Sequence, residues 1–418
     1  MISAAIYWLA IRCYAAILHI AALFHPKAKL FIAGRKHLLN RMRQALATEQ
    51  RPRIWMHCAS LGEFEQGRPV LENLRKKYPS YALVLTFFSP SGYEVRKNYE
   101  GADYIFYLPF DSNANAKQFL DIIQPQLCIF VKYELWYFFL HSIAKRHIPA
   151  LLISANFRAE QAFFKWYGDL HRRMLQSFTH IFVQNKKSVD LLQSIDINNA
   201  SVSGDTRFDR VIEAVQQKKE LPAAASFAEG YKVIVAGSTW KEDEEFLQKA
   251  LQQLLGDWKL ILVPHEVHDS HIGEIDKLFS GKCVRWSQYN NEPDKRVLVV
   301  DKVGLLLQLY QYANVAWIGG GFGKAGVHNI LEAAAYGIPC AYGPIFHQFN
   351  EGQELIDAGG AITTGSPGAF VQQIQEWQKD TTSYKTSADA ASHYIFTHGG
   401  ATEVVMAYIV EKNLLRRL

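Results

Sequence analysis

At 418 residues, with 49% apolar and 20% charged residues, the chain has an ordinary globular balance and is sized for two domains at roughly 150 residues or more each. That balance excludes a disordered, collagen-like or low-complexity chain, and a multi-span membrane protein. The net charge of +5 is too mild to call for nucleic acid, and no nucleic-acid partner is expected.

Met1 to Phe24 is almost wholly apolar, interrupted by Ser3, Arg12 and His19, and a cluster of Lys27, Lys29, Arg35, Lys36, Arg41, Arg43 and Arg51 follows it. The run is long enough to span a bilayer, which takes about 20 residues. The basic cluster after it keeps the rest of the chain in the cytoplasm by the positive-inside rule, whereas a signal peptide carries its charges first. A central Arg costs about 2.5–3.5 kcal/mol on insertion scales. Arg12 and His19, seven apart, share one helix face that suits headgroups, so both a spanning and an interfacial helix are compatible with this segment, and a buried core helix with a solvated basic neighbour is the plainer alternative.

From Arg53 onward β-rich runs alternate with helical patterns. Strands are expected at Ile54–Cys58, Ala82–Phe87, Tyr104–Leu108, Leu127–Val131, Ala150–Ser154 and His180–Gln184, and helices at Gly67–Lys77, Ala114–Ile123 and Leu135–Arg146. Around Val211–Gly230 the rhythm gives way to a polar helix and an Ala-rich, Pro-containing connection. It resumes with a strand at Lys232–Ala236, a helix at Lys241–Leu255, and strands at Leu260–Val263, Val297–Val300 and Asn314–Ile318, then a glycine-rich turn and a helix from about His328. The pattern predicts an α/β chain of two doubly wound, Rossmann-like domains facing a cleft lined by the carboxyl ends of their strands. The expected boundaries are an anchor helix at 1–24, a first domain at 25–210, a linker at 211–231 and a second domain at 232–418.

Ser60-Leu61-Gly62-Glu63 follows the first strand, placing Glu63 near a helix N-terminus, whose dipole favours the carboxylate and equips it to take a proton. An N-terminal cap with an acidic first turn is the plainer alternative. Glu134, in Lys132-Tyr133-Glu134-Leu135-Trp136, projects from a later strand end or is an ordinary helix-start acid. Asn156 and Arg158 hold a similar post-strand position. Arg207, in Gly204-Asp205-Thr206-Arg207-Phe208-Asp209, can meet a phosphate or carboxylate, or pair with Asp205 or Asp209.

In the second half, Gly237-Ser238-Thr239 and the long loop Gly319–Gly326 before His328-Asn329-Ile330-Leu331-Glu332 offer backbone N–H groups to a phosphate. Glu332 is placed to accept from a ribose diol. The letters G-x-G-x-x-G occur at Gly321–Gly326 but too late in the chain for a dinucleotide fingerprint. His265, Glu266 and the Val303-Gly304-Leu305 loop lie on the same expected sheet edge. Fifteen histidines without H-E-x-x-H, and five scattered cysteines without C-x-x-C, argue against a protein-built metal site or a disulfide framework and fit a reducing compartment.

Taken together and in this order, Ser60-Leu61-Gly62-Glu63, Glu134-Leu135-Trp136, Asn156-Phe157-Arg158, Gly204–Asp209, Gly237-Ser238-Thr239, His328-Asn329…Glu332 and Tyr342-Gly343-Pro344…Phe349-Asn350, with the apolar N-terminal helix, resemble the 3-deoxy-D-manno-octulosonic acid (Kdo) transferases of lipopolysaccharide synthesis. The resemblance implies a glycosyltransferase B fold, with the acceptor held by the first domain and the CMP-sugar by the second. It implies inverting transfer of Kdo from CMP-Kdo to the lipid A precursor (lipid IVA) at the cytoplasmic face of the inner membrane, with no cofactor beyond the donor. Glu63 is then the general base, Glu134 and Arg207 the transition-state stabilisers, and His265, Glu266, Val303, Gly304, Leu305, Asn329, Ile330, Leu331 and Glu332 the CMP contacts.

This chain departs from the family pattern in three places. His265-Glu266 stands where an Arg-His pair is more usual, and Arg207 where Lys is usual, which keeps the charge but changes its geometry. Val327 and Ile330 replace a customary Gly and Pro. The competing expectations are another sugar-nucleotide enzyme of the same fold, such as a different glycosyltransferase or a nucleotide-sugar epimerase, and a membrane-tethered nucleotide-sugar-binding scaffold.

Overall fold

The strand segments of both halves are runs of Val, Ile, Leu, Phe and Ala, apolar at almost every position, as strands covered on both faces must be. In the computed structural model, which describes residues 2–254, 256–324 and 326–416, they build two seven-stranded sheets whose pairings are all parallel. The first contains β1 Arg53–Cys58, β2 Ala82–Phe87, β3 Tyr104–Tyr107, β4 Pro125–Val131, β5 Ala150–Ala155, β6 His180–Val183 and β7 Ala200–Val202. Its order is β3-β2-β1-β4-β5-β6-β7. The second contains β8 Lys232–Thr239, β9 Trp258–Pro264, β10 Cys283–Arg285, β11 Val297–Val299, β12 Val315–Ile318, β13 Cys340–Tyr342 and β14 Ala361–Thr363. Its order is β10-β11-β9-β8-β12-β13-β14.

Both sheets therefore reverse direction at one place, between β1 and β4 in the first and between β8 and β12 in the second. Ligands of open α/β sheets collect beyond the carboxyl ends of the strands at such switch points.

Each sheet has its own apolar layers. In the first, Trp55, Phe119, Phe130 and Phe139 pack on one face and Phe64, Leu71, Leu85 and Ile129 on the other. In the second, Trp317 lies against Phe246 and Phe370, with ring centroids 4.4 and 5.2 Å away.

The chain divides between Arg210 and Val211, and the second unit ends at His398. From Gly399 the chain returns to the first unit, which corrects the expectation that the second domain runs to residue 418. The physical reason is local. Asp209 accepts hydrogen bonds from the Gly400 and Thr402 N–H groups, both at 2.6 Å, capping the helix Ala401–Glu411. That helix buries Val405, Met406 and Ile409 in the first unit's core, and Tyr408 stacks on His180 at 4.4 Å. The stretch expected as linker is largely helical, in Thr206–Gln216 and Pro222–Ala228. The latter buries Ala224 and Phe227, and the buried Lys259 ammonium sits 4.6 Å from the Phe227 ring and 3.8 Å from Tyr231.

The N-terminal apolar run is a helix, Ile2–Ala21, and its Ala4–Ala21 portion is, among the described residues, the segment long and apolar enough to cross a membrane. One stripe, Ala4, Tyr7, Ile11, Ala15 and Leu18, is half-buried, while Ile6, Leu9, Ile17 and Ile20 are exposed. Tyr7 donates its hydroxyl to Asp111 at 2.6 Å and packs on Tyr137 and Phe138 at 5.9 and 6.0 Å, and Tyr14 stacks on Phe88 at 6.4 Å.

Asp111 also accepts from the Phe138 and Phe139 N–H groups, at 3.0 and 3.1 Å. Burial pushes its carboxyl up to about 6, against the pull of those three hydrogen bonds. A carboxyl that titrates higher folded than unfolded favours folding most below its unfolded value, and that contribution is lost as pH rises through about 6. Replacing it, Asp111→Asn, is expected to flatten the dependence of stability on pH between about 4 and 6. An unchanged slope in denaturant titrations across that window would contradict the assignment.

Candidate active site

Ser60 leaves β1 in an extended conformation and starts the helix Leu61–Lys77, whose first turn carries Glu63. The Ser60 side chain makes no backbone cap; its hydroxyl donates to the Glu63 carboxylate instead. Glu63 is half-buried, so a carboxylate at the positive end of a helix stays open to a ligand. The capping alternative therefore does not use up this side chain.

Glu134 lies three residues before the helix Tyr137–Lys145, so it is not a helix-start acid. The Trp136 indole N–H donates to it at 2.9 Å and also approaches His57 Nε2 at 3.2 Å, and His57 Nε2 lies 3.3 Å from the same carboxylate oxygen. His57 is fully buried on β1. Its Nδ1 meets Thr86 on β2, at 2.8 Å from the hydroxyl and 3.1 Å from the carbonyl, and the Trp55 indole donates to that hydroxyl at 2.8 Å. The Glu134 carboxylate oxygen can only accept, so His57 holds it through a proton on Nε2, with Nδ1 accepting from the nearer Thr86 hydroxyl. The chain Trp55–Thr86–His57–Glu134 crosses the first sheet's switch point. Burial drives the Cys58 thiol well above its usual range, and the fields of Glu63, Glu134 and Glu65 push it the same way, which places these carboxylates around one strand end.

Arg207 takes the alternative weighed for it: its Nε–H donates to Asp205 at 2.8 Å and a terminal nitrogen lies 2.7 Å from the same oxygen. Thr206, its neighbour, bonds Ser154 on β5 at 2.9 Å and donates to the Gln66 carbonyl, so Arg207 belongs to the same sheet edge as Glu63. Asn156 accepts from the Asn185 amide at 3.0 Å, while Arg158 is exposed.

In the second unit the glycines serve close backbone packing. A Cβ on Gly319 would stand 2.3 Å from the Ser238 carbonyl oxygen, and one on Gly321 2.5 Å from the Gly343 nitrogen. Three rings gather at this switch point. The Trp240 indole N–H donates to His328 Nε2 at 2.8 Å with the rings 16° from coplanar, and His265 stacks over both, 4.7 and 4.4 Å away. Burial, with His265 beside it, pushes His328 down to about 4, which keeps it neutral and able to accept from the indole near neutral pH.

Beneath them the fully buried Asp243 accepts from the Trp240 N–H at 3.0 Å, the Gly320 N–H at 2.9 Å and the Trp317 indole at 3.0 Å. It thereby ties the turn after β8 to the glycine loop after β12.

Asn329 donates to Glu332 at 2.9 Å and accepts from the Leu331 N–H at 3.3 Å. Ile330 and Leu331 are buried in the core. Any contact of these two with a ligand therefore runs through their backbone. His265, Glu266, Val303 and Gly304 are exposed and Leu305 is half-buried. Among the described residues no three His, Cys, Asp or Glu side chains come together to hold a metal ion.

His57, Trp240 and Asp243 escaped the sequence reading. The signal for His57 was a single polar ring inside an otherwise apolar strand, whereas Asp243 reads as an ordinary first-turn acid.

Residues 36–210 match the family model described as 3-deoxy-D-manno-octulosonic-acid transferase (kdotransferase). The chain is 29% identical over 313 residues to the 3-deoxy-D-manno-octulosonic acid transferase of Aquifex aeolicus, covering 74% of this chain and 80% of the relative. To the enzyme of that name from Haemophilus influenzae it is 26% identical over 338 residues, covering 77% and 78%. Among solved structures it resembles the UDP-GlcNAc 2-epimerase of Neisseria meningitidis bound to UDP-GlcNAc, with TM-score 0.62, 15% identity and coverage of 86% of this chain and 100% of that one. It also resembles a glycosyltransferase of Rickettsia africae, with TM-score 0.57, 14% identity and coverage of 88% and 100%. These structural likenesses concern the fold, which is that of the glycosyltransferase B enzymes. Residues 36–210, which carry both the Glu63 turn and the Glu134 loop, are thus similar to the 3-deoxy-D-manno-octulosonic acid transferases, as is about three quarters of the chain at 26–29% identity.

Proposed function

We propose that this glycosyltransferase moves Kdo from CMP-Kdo to lipid IVA, the lipid A precursor, with inversion, at the cytoplasmic face of the inner membrane. The observation that carries the reading is the grouping of Glu63 and Glu134 at the switch point of the unit that matches the family. Glu63 takes the proton of a lipid sugar hydroxyl as that oxygen bonds to the anomeric carbon of Kdo. The bond from that carbon to the phosphate oxygen breaks, and CMP departs with the electron pair. A positioned base contributes typically 10²–10⁴-fold to such a step.

Glu134, oriented by Trp136 and His57, and Arg207 answer the charge that develops. Arg207 is here paired with Asp205, so it meets a substrate phosphate or carboxylate by sharing or exchanging that partner. On the donor side, the exposed His265 and Glu266, the Val303–Leu305 loop and the Asn329–Glu332 segment are the groups we assign to CMP. The exposed apolar face of Ile2–Ala21 brings the enzyme to its bilayer-resident acceptor.

A donor screen tests the reading. Turnover of CMP-Kdo with lipid IVA supports it, and turnover of UDP-GlcNAc with none of CMP-Kdo contradicts it. Within it, His57 is a positioning residue. Its replacement, His57→Gln, is expected to lower kcat roughly 10–100-fold with KM for CMP-Kdo unchanged. A rise in that KM with kcat intact would contradict this role.

A further inference from the structure

The turn after β5 carries, among the described residues, the most exposed large apolar side chain: Trp166 is 92% exposed, and its neighbour Tyr167 is 59% exposed. The two rings pack edge to face at 5.5 Å. This exposure does not come from a loose loop. Arg172 donates to the Phe163 and Lys165 carbonyls, both at 2.8 Å, and the Gly168 N–H closes back on the Lys165 carbonyl at 3.0 Å. A Cβ on Gly168 would stand 2.0 Å from the Ala162 carbonyl oxygen. Phe163 is buried and packs edge to face on Phe157 at 5.4 Å. The turn is thus clamped from beneath while it holds a Trp and a Tyr out into solvent.

Its place in the fold says what meets them. Because the strands are parallel, the loops after β2, β3, β4 and β5 all lie at one edge of the sheet. The first three carry Phe88, Asp111 and the Tyr137-Phe138 pair, which dock the N-terminal helix. The fourth carries Trp166 and Tyr167. The exposed apolar face of that helix and the aromatic turn therefore share the edge at which Glu63 and Glu134 stand. Residues 158–173 hold four cations, Arg158, Lys165, Arg172 and Arg173, against two acids, Glu160 and Asp169; Arg172 serves the clamp and Arg173 pairs with Asp169 at 2.8 Å. Trp and Tyr beside basic side chains is the composition that settles at an anionic membrane–water interface.

We propose that this turn is a second bilayer contact, with Trp166 and Tyr167 inserting into the headgroup layer of an anionic phospholipid membrane beside the N-terminal helix. The proposal rests on the membrane-bound acceptor of the reading above. It adds that the sheet's carboxyl edge is held at the bilayer from both sides of the candidate base.

The test uses the full chain on vesicles of phosphatidylethanolamine and phosphatidylglycerol, without donor or acceptor. Fluorescence of wild type minus that of Trp166→Phe isolates the one indole. The expected result is that this difference signal is blue-shifted on vesicles and quenched by brominated lipids. The double variant Trp166→Ser, Tyr167→Ser is expected to bind these vesicles on the order of tenfold more weakly. A difference signal that stays unquenched on bound protein overturns the proposal, whether the turn then faces water or a protein partner. Quenching that appears only when lipid IVA is added also overturns it, because the turn would then belong to the acceptor and not to the bilayer. Since neither readout requires turnover, failure here leaves the transferase reading standing, and failure of that reading leaves this result interpretable.

Discussion

The substitution Glu63→Gln is expected to lower kcat roughly 10²–10⁴-fold, with the midpoint of unfolding and the affinity for CMP unchanged. The side chain sits in the first turn of Leu61–Lys77, where the helix dipole favours the ionised form, and the Ser60 hydroxyl donates to it. Glutamine keeps the volume and can still accept from Ser60, but its amide has no basic oxygen for a proton in transit. The effect should therefore fall on the chemical step and spare binding and folding. Initial rates on a lipid acceptor at saturating donor, beside a thermal melt of each protein, decide it. A glutamine variant that turns over at the wild-type rate would remove Glu63 from this role while leaving the family resemblance in place.

The second large effect is expected on stability, from Asp243→Ala. This carboxylate is fully buried and accepts from the Trp240 N–H, the Gly320 N–H and the Trp317 indole. Removing it leaves two buried donors, the Gly320 N–H and the Trp317 indole, and the half-buried Trp240 N–H without their acceptor. At about 1–3 kcal/mol for each unsatisfied group, and with partial relaxation, the loss should be about 3 kcal/mol or more. Burial raises the Asp243 carboxyl while the three hydrogen bonds lower it, the balance of a group that folding desolvates and then satisfies. The isostere in Asp243→Asn keeps one acceptor but turns an amide toward donors, so an intermediate loss is expected.

Because Asp243 joins the turn that carries Trp240 to the glycine loop that precedes His328, the asparagine variant should also bind CMP at least about tenfold more weakly. Denaturant titration and calorimetry with CMP read the two effects separately. Wild-type stability in the alanine variant would show that these donors find other partners, and unchanged CMP affinity in the asparagine variant would uncouple this node from the donor site.

Six strands of the first sheet were legible because each is a compact apolar run between turn signals, and β2 coincides with its expected bounds. Four strands were not. β7, β10, β13 and β14 have three residues each, too few for any period to register; β11 is as short but stood out within the apolar run Val297–Val300. The helix after β1 begins at Leu61 rather than Gly67, because Gly62, Gly67 and Pro69 obscure its helical pattern. The return of the chain at Gly399 was invisible because what fixes it is Asp209, 191 positions earlier.

The same contrast holds for the site. Glu63 and Glu134 were readable because a residue just past a buried parallel strand stands at the sheet's active edge. Ile330 and Leu331 came with Asn329 and Glu332 through the family resemblance, and their burial in the core was not legible from it. His57 and Trp240 take their meaning from Glu134 and His328, 77 and 88 positions away, which no local pattern announces.

Kdo transfer to a lipid A precursor, with Glu63 as the base, stands or falls on the lipid product. Its most direct test is the mass of tetra-acylated lipid IVA after incubation with the full-length enzyme and CMP-Kdo made in situ, for wild type and for a folded Glu63→Ala variant that still binds CMP. A product heavier by one or more Kdo units is expected with wild type, and unmodified lipid with the variant. Unmodified lipid from an intact, CMP-binding wild type would contradict it.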